Sequence, residues 1–324
     1  MEGSTLNKQL LQDIMDSKYA VPEGHSLETM TPELIELLGS TDAVIRENSY
    51  EILSKWCVSG QYEDAAICEL RRQMVGGLFH GLGEVGTDSV FCRSYFALVL
   101  CSPIGADRMF EAGLVEGRSS FLDPEEVRTW CARALEAVRG ENDCRGFVDG
   151  KGWAHAVAHM SDALLQFARS PHTRAEEHRQ ILDTISDRLT RSSDSVFVLD
   201  EGGRLMRAAY IVLLRGELPL DTLKGWLETF SATPDGRTWG FGQDGIFDLE
   251  RCDQRAVNGR LNVGEALRSL YFYLKLGLRL WHSDEDAKNA YYALYHRPIL
   301  HRDELLDAVD SVLRKIYSGL YPLK

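Results

Sequence analysis

The chain is expected to be all-α, built of stacked antiparallel helix pairs that form a curved array. Three observations predict this. Apolar residues recur at helical spacing in one segment after another, helix starts are marked by capping residues, and no segment shows strand alternation with turn punctuation. The 324 residues are read as a single helical domain, 1–324, with an irregular stretch at 231–258.

The elements follow in order. Residues 5–18 form an amphipathic helix on Leu6, Leu10 and Ile14. A second helix is expected from Thr31, with Pro32 at its first position. Ser40-Thr41-Asp42 caps a third, in which Ile45, Ser49, Ile52, Leu53, Trp56 and Cys57 share a face and Gly60 marks the end. Its partner runs over 63–79 on Ile67, Leu70, Met74 and Leu78. Asp88 to Leu100 is apolar, Ser102-Pro103 interrupts it, and 105–115 reads as a separate short helix. Asp123-Pro124-Glu125-Glu126 is a strong helix start, followed by the stripe Val127, Trp130, Cys131, Ala134, Leu135 and Val138.

After a polar loop over 140–150, Gly152 to Arg169 reads as one helix with two chemically different sides. Trp153, Val157, Met160, Leu164 and Phe167 fall in a narrow sector at 100° per residue and form a core stripe. His155, His159, Asp162 and Gln166 cluster opposite, beside the small residues Ala154, Ala158 and Ala163. Further helices are expected at 176–189, 196–215, after a capping Asp221, and at 260–281, 284–295 and 302–318. The stretch 231–258 has no periodicity and carries the exposed-looking aromatics Trp239 and Phe241. A long irregular loop in a compact domain is often functional.

Several helices open with one phrase: Asp42-Ala43-Val44-Ile45-Arg46, then Asp88 to Arg93, then Glu126-Val127-Arg128. The phrase resembles the Asp/Glu-x-x-Val-Arg opening of HEAT-type helical repeats over roughly the first half of the chain. The arginines are spaced unevenly, so the period is only partly regular. Each pair has one apolar face and needs neighbours to bury it, which stacking supplies.

The formal net charge of −13 argues against nucleic acid and anionic membranes, since phosphate contacts need clustered Lys and Arg. A helical-repeat DNA-alkylation repair protein is disfavoured on the same ground. Met1 to Gly24 carries acids and lacks an apolar h-region, so no signal peptide is expected. No uninterrupted apolar run suggests a membrane span, and the expected location is cytoplasmic. Seven cysteines with no C-x-x-C spacing read as free thiols rather than a disulfide framework.

His155-x-x-x-His159 would place two imidazoles one turn apart on a helix, a geometry that can chelate a divalent metal, with Asp162 one turn further. A zincin needs Glu directly after the first His; Ala156 stands there instead. His155 and Asp162 are about 10 Å apart along a helix axis, so another element would have to complete a metal site. Three uses of the stripe stay open: structural hydrogen bonding, a binding or catalytic site without metal, and a metal site. Arg207 and Arg268, each within an apolar helix, are candidates with His155 for a polar groove. Trp153, Gln166 and Trp239 complete the candidate binding residues. Gly240-x-Gly242-x-x-Gly245 spells a dinucleotide fingerprint, but no strand precedes it and no helix opens at it.

Gly152-Trp153-x-His155-Ala156-x-Ala158-His159-x-x-Asp162, with Leu267-Arg268-Ser269-Leu270-Tyr271-Phe272 later, resembles an uncharacterised bacterial family defined only as a domain of unknown function. That resemblance implies an all-helical, cytoplasmic bacterial protein and supplies no reaction, cofactor or partner. The reading that follows is a binding module holding a peptide, protein or small molecule in a groove lined by His155, His159 and Asp162. The alternative is an enzyme using the two histidines as acid/base groups or metal ligands.

Overall fold

The computed structural model describes residues 6–191, 193–233, 239, 253–278 and 290–317, and among these the protein is almost entirely helical. The chain divides into two compact units, Met1–His172 and Thr173–Lys324, where the sequence reading takes 1–324 as one domain.

The first unit contains α1 (Lys8–Asp16), α2 (Leu27–Leu37), α3 (Ala43–Val58), α4 (Asp64–Gly77), α5 (Ser89–Glu111), α6 (Pro124–Gly140) and α7 (Ala156–Arg169). A small antiparallel hairpin, β1 (Phe147–Val148) and β2 (Gly152–Trp153), precedes α7. The caps act as the sequence predicts at two starts. Asp42 accepts from Val44 and Ile45 N–H at the head of α3, and Asp123 accepts from Glu126 N–H with Pro124 in the first turn of α6. At α2 the expectation is corrected. Ser26 and Thr29 form a capping box that starts the helix at Leu27, and Pro32 lies inside it.

α5 is the centre of this unit, packing against α3, α4 and α7. The sequence reading broke it at Ser102-Pro103, yet the helix is continuous with Pro103 inside. Ser102, Pro103, Ile104, Gly105 and Ala106 are all buried there. Packing from several sides outweighs the one backbone hydrogen bond that proline removes. By length and composition α5 could cross a membrane, but 78% of its most apolar window is buried inside the protein, as in a core helix.

The second unit contains α8 (Ala175–Thr190), α9 (Glu201–Arg215), α10 (Leu220–Glu228), α11 (Gln254–Leu276) and α12 (Arg302–Ile316), with short 3₁₀ segments at Thr229–Ser231 and Ala290–His296. α11 packs on α9, α12 and α8, and α10 packs on α12. Asp221 lies in the first turn of α10 rather than capping it. Asn258 and Asn262 on α11 tie down the loop before α9. Asn258 donates to Ser193 O at 3.0 Å, while Asn262 donates to Ser195 O at 3.1 Å and accepts from Phe197 N–H at 2.6 Å. Most of the irregular stretch 231–258, including Phe241 and the Gly240/Gly242/Gly245 fingerprint, lies outside the described residues. So do residues 279–289, which include Trp281 and the first half of the helix expected at 284–295.

Candidate functional site

The histidine segment is built differently from the single helix expected over 152–169. Gly152 and Trp153 belong to the hairpin, and α7 begins at Ala156. His155 is the residue before the helix, in the left-handed region at φ 50°. Its carbonyl still accepts the first helical hydrogen bond, from His159 N–H at 3.0 Å, but its side chain leaves from a left-handed residue and not from a helical one as the i, i+4 reading assumes. The turn Asp149-Gly150 between Val148 and Lys151 is a strong hairpin signal. It was present in the sequence but too short to read as alternation.

The hairpin is fixed to the helices by backbone-directed arginine. The Arg46 guanidinium, fully buried on α3, donates to Lys151 O at 2.7 Å and Trp153 O at 3.2 Å. It lies 4.2 Å from the Phe91 ring centroid and 4.8 Å from that of Tyr95. Gly152 has φ +78°, and a Cβ there would fall 2.7 Å from Ala43 Cβ, so only glycine lets the hairpin sit this close to α3. Asp143 holds the incoming strand by accepting from Gly86 N–H and from the Arg145 backbone and guanidinium.

With this backbone in place, the rings form a ladder. Phe147 and Trp153 meet edge to face at 5.2 Å, and Trp153 stacks on His155 at 5.1 Å with a 25° interplanar angle. His155 meets His159 at 5.5 Å, His159 meets Tyr95 at 5.4 Å, and Tyr95 meets Tyr50 at 6.2 Å. Phe147 and Trp153 are exposed (58% and 38%), whereas His155 and His159 are buried (6% and 7%). Ser94 on α5 donates its hydroxyl proton to Ala154 O. A hydroxyl has one proton, so at the 2.7 Å contact with His159 Nδ1 the serine accepts and the imidazole donates. Ser94 is fully buried and committed to this bridge, which suits it to holding α7 and not to nucleophilic attack. Among the described residues no group of three His, Cys, Asp or Glu side chains is placed to hold a metal ion.

The helix wheel placed the polar stripe away from the core. That holds for only half of it. Within α7, Asp162 and Gln166 alone are more than marginally exposed, and every other residue is buried. Between Arg93 and Phe110 of α5, only Leu98, Cys101 and Met109 are half-buried, and they fall on one line at helical spacing. On α3, Glu47, Tyr50, Glu51, Ser54 and Val58 are half-buried and share one face. α3 and α7 both pack on α5, and Cys101, Asp162, Glu47 and Glu51 all act on the Tyr50 hydroxyl, so these lines meet on one face of the unit.

Its chemistry is acidic and phenolic. Tyr95 donates to Glu47, and Tyr19, just after α1, donates to Glu51. The Tyr50 hydroxyl is pushed well above the ordinary phenol range by burial first, then by Cys101, Asp162, Glu47 and Glu51 around it. The Tyr19 hydroxyl is pushed up to about 12, mainly because Glu51 accepts its proton. Gln166 Oε1 and Ser54 Oγ are buried without a hydrogen-bond partner among the described residues. Glu47, Tyr50, Glu51 and Tyr95 were not singled out from sequence. The i, i+3, i+4, i+7 run Glu47, Tyr50, Glu51, Ser54 was the available signal.

The other candidates belong to the second unit and are engaged there. Arg207 pairs with Asp200, and Arg268 donates to Gly264 O at 2.8 Å and Tyr317 Oη at 3.0 Å. Trp239 is not exposed as expected. It is 3% exposed and donates to Phe230 O at 3.1 Å. Two surface clefts, one of about 530 Å³ around Tyr19 and one of about 340 Å³ between α10 and α12, contain none of the sequence-predicted site residues.

No curated protein and no solved structure matches the chain. Residues 78–272, more than half of the chain and including the hairpin, α5 and α7, match a family described as "Protein of unknown function (DUF2785)", and the chain belongs to that family.

Proposed function

We propose that this protein is a binding module of HEAT-like helical pairs, and that the groove over α5 receives a basic segment of a partner peptide. The observation that carries this is the set of half-buried acceptors on both walls. Glu47 and Glu51 stand on α3, Asp162 stands on α7, and Gln166 Oε1 is buried with no donor supplied by the described residues. A buried acceptor left unmatched is costly, so a ligand rich in N–H donors gains most here. Lysine and arginine side chains bring such donors with charge complementary to the carboxylates.

The repeat reading is supported by the arginines of the recurring phrase, which share one role. Arg46, Arg93 and Arg128 each donate to backbone carbonyls of a connecting segment: Trp153, Gly81 and His172 respectively.

The test is titration of a short Lys/Arg-rich peptide, followed by tyrosine fluorescence, into the wild type and the variants Asp162→Asn and Glu47→Gln. Each substitution is expected to weaken binding about tenfold, on the scale of one lost charge-assisted hydrogen bond, and added salt is expected to weaken it further. Affinity unchanged in both variants, or equal affinity for an acidic peptide, would overturn the reading.

A further inference from the structure

The cleft of about 530 Å³ around Tyr19 has a chemistry the groove does not share. Its walls are the ends of three elements: Lys18 and Tyr19 after α1, Lys55 and Val58 at the end of α3, and Met109 with Leu114 and Val115 at and after the end of α5. Its volume lies in the range of small-molecule sites. Lys18 and Tyr19 are consecutive non-glycine residues at positive φ, 57° and 63°, a conformation that costs free energy and tends to gather at functional sites. Trp56 Nε1 holds the strained segment in place by donating to Tyr19 O at 2.7 Å.

The lysines are the second feature. Glu51 stands one helical turn before Lys55, the usual spacing for an i, i+4 ion pair. The pair is not made, because Glu51 accepts from the Tyr19 hydroxyl and the Lys55 ammonium sits 5.7 Å over the Tyr19 ring. Lys18 makes no ion pair among the described residues. The lining thus sets two ammonium groups, the Ser59 hydroxyl and the Gln61 amide against one carboxylate, Glu116, in a chain of net charge −13. Val58, Met109, Leu114 and Val115 supply an apolar wall, and Leu114 is 41% exposed.

We propose that this cleft binds a monoanionic carboxylate carried on an apolar body, with Lys18 and Lys55 on the carboxylate and the Met109/Leu114/Val115 wall on the aliphatic part. A phosphate fits less well. No arginine lines the cleft to offer a planar fork, and no helix N-terminus lines it. The C-terminal ends of α1, α3 and α5 gather there instead, and their partial negative charge disfavours a dianion. The proposal does not rest on the groove reading: Tyr19, Val58 and Met109 border both, but the lysines that would hold the ligand belong to the cleft alone and the ligand has the opposite charge.

The experiment is isothermal titration of the full chain with hexanoate, hexylamine and inorganic phosphate, then with carboxylates of increasing chain length. Hexanoate is expected to bind saturably, hexylamine and phosphate are not, and affinity is expected to rise with chain length. Lys18→Gln and Lys55→Gln, both at exposed side chains, are each expected to weaken hexanoate about tenfold, the scale of one lost charged hydrogen bond. The proposal is overturned if hexanoate shows no saturable binding, if hexylamine or phosphate binds as well, if affinity is flat with chain length, or if either lysine variant leaves the hexanoate Kd unchanged. The last outcome would reduce the lysines to compensators of the helix ends. Because the groove test reads a basic peptide through Asp162 and Glu47, either test can fail without the other.

Discussion

Arg93 and Glu141 meet in a two-pronged ion pair, Nε to Oε2 at 2.7 Å and Nη2 to Oε1 at 3.0 Å, with neither side chain exposed to solvent. The remaining donors of Arg93 go to His80 O, Gly81 O and Ser89 Oγ, and Glu141 Oε1 also accepts from Asp143 N–H. The pair locks the loop after α4 to the loop after α6, and that second loop leads into the hairpin. Removing one partner strands a buried charge. Glu141→Gln is expected to lower unfolding free energy by about 3–5 kcal/mol, whereas replacing both residues with apolar side chains of similar volume costs much less. Urea denaturation of the single and double variants checks this; equal losses in both would mean the ion pair itself supplies the stability.

The bridge from His159 to Ala154 O through Ser94 predicts a structural phenotype for the histidines. Ser94→Ala leaves His159 Nδ1–H without its acceptor and Ala154 O without its donor, and is expected to cost about 1–3 kcal/mol. His155→Gln and His159→Gln are expected to lower the melting temperature without changing affinity for zinc, manganese or iron(II). Metal titration of tag-free protein measures that. A divalent metal bound tightly by the wild type and lost in both variants would contradict the ring-ladder account.

Two carboxylates predict opposite pH slopes. Asp143 is penalised by burial, but the hydrogen bonds from Arg145 and from Gly86 N–H outweigh that and hold its carboxyl below the ordinary value. Its contribution is present above the unfolded pKa near 4 and lost as pH falls through the folded one. Glu265 on α11 is pushed above its ordinary 4.5, by burial first and then by Asp200 and Glu201. Its contribution is present below that ordinary value and lost as pH rises through the raised folded pKa. Glu265→Gln is therefore expected to raise stability at pH 8 relative to wild type and to change it little at pH 4. Asp143→Asn is expected to flatten the acid limb. Unfolding midpoints across pH 3–8 decide both, and a Glu265→Gln variant less stable than wild type at pH 8 would contradict the first.

Gly77 marks where α4 closes on α5. A Cβ there would lie 2.0 Å from Phe96 Cδ1, inside the ring's own volume. Gly77→Ala is expected to destabilise by about 1–3 kcal/mol through overpacking, despite alanine's better helix propensity. Partial rescue by a smaller side chain at Phe96, read by denaturant midpoint, would confirm the cause.

Much of the fold was legible because helical periodicity is local. The stripes of α3, α4 and α6 appear in the sequence at the spacing the structure uses, and the caps Asp42 and Asp123 work as expected. The misplaced boundaries had tertiary causes. Pro103 does not break α5, because the turn around it is buried on all sides. His155 is not helical, because its N–H pairs with Arg145 O and Ala154 N–H pairs with Gly146 O, which continues the hairpin to the edge of α7.

The candidate site was half legible for the same reason. Asp162 and Gln166 could be read as exposed from the wheel of one helix, but the fate of His155 and His159 could not. The sequence by itself determined that this is a helical protein with free thiols, an acidic surface and an uncommon histidine segment. Only the tertiary structure decided that the histidines are buried rungs of a ring ladder, and that Glu47, Glu51 and Asp162 stay half-buried near the Tyr50 hydroxyl. Periodicity reports which side of a helix is polar. Whether that side meets water depends on how many neighbours pack around the helix: α7 packs on α5 and α6, and along it only Asp162 and Gln166 escape burial.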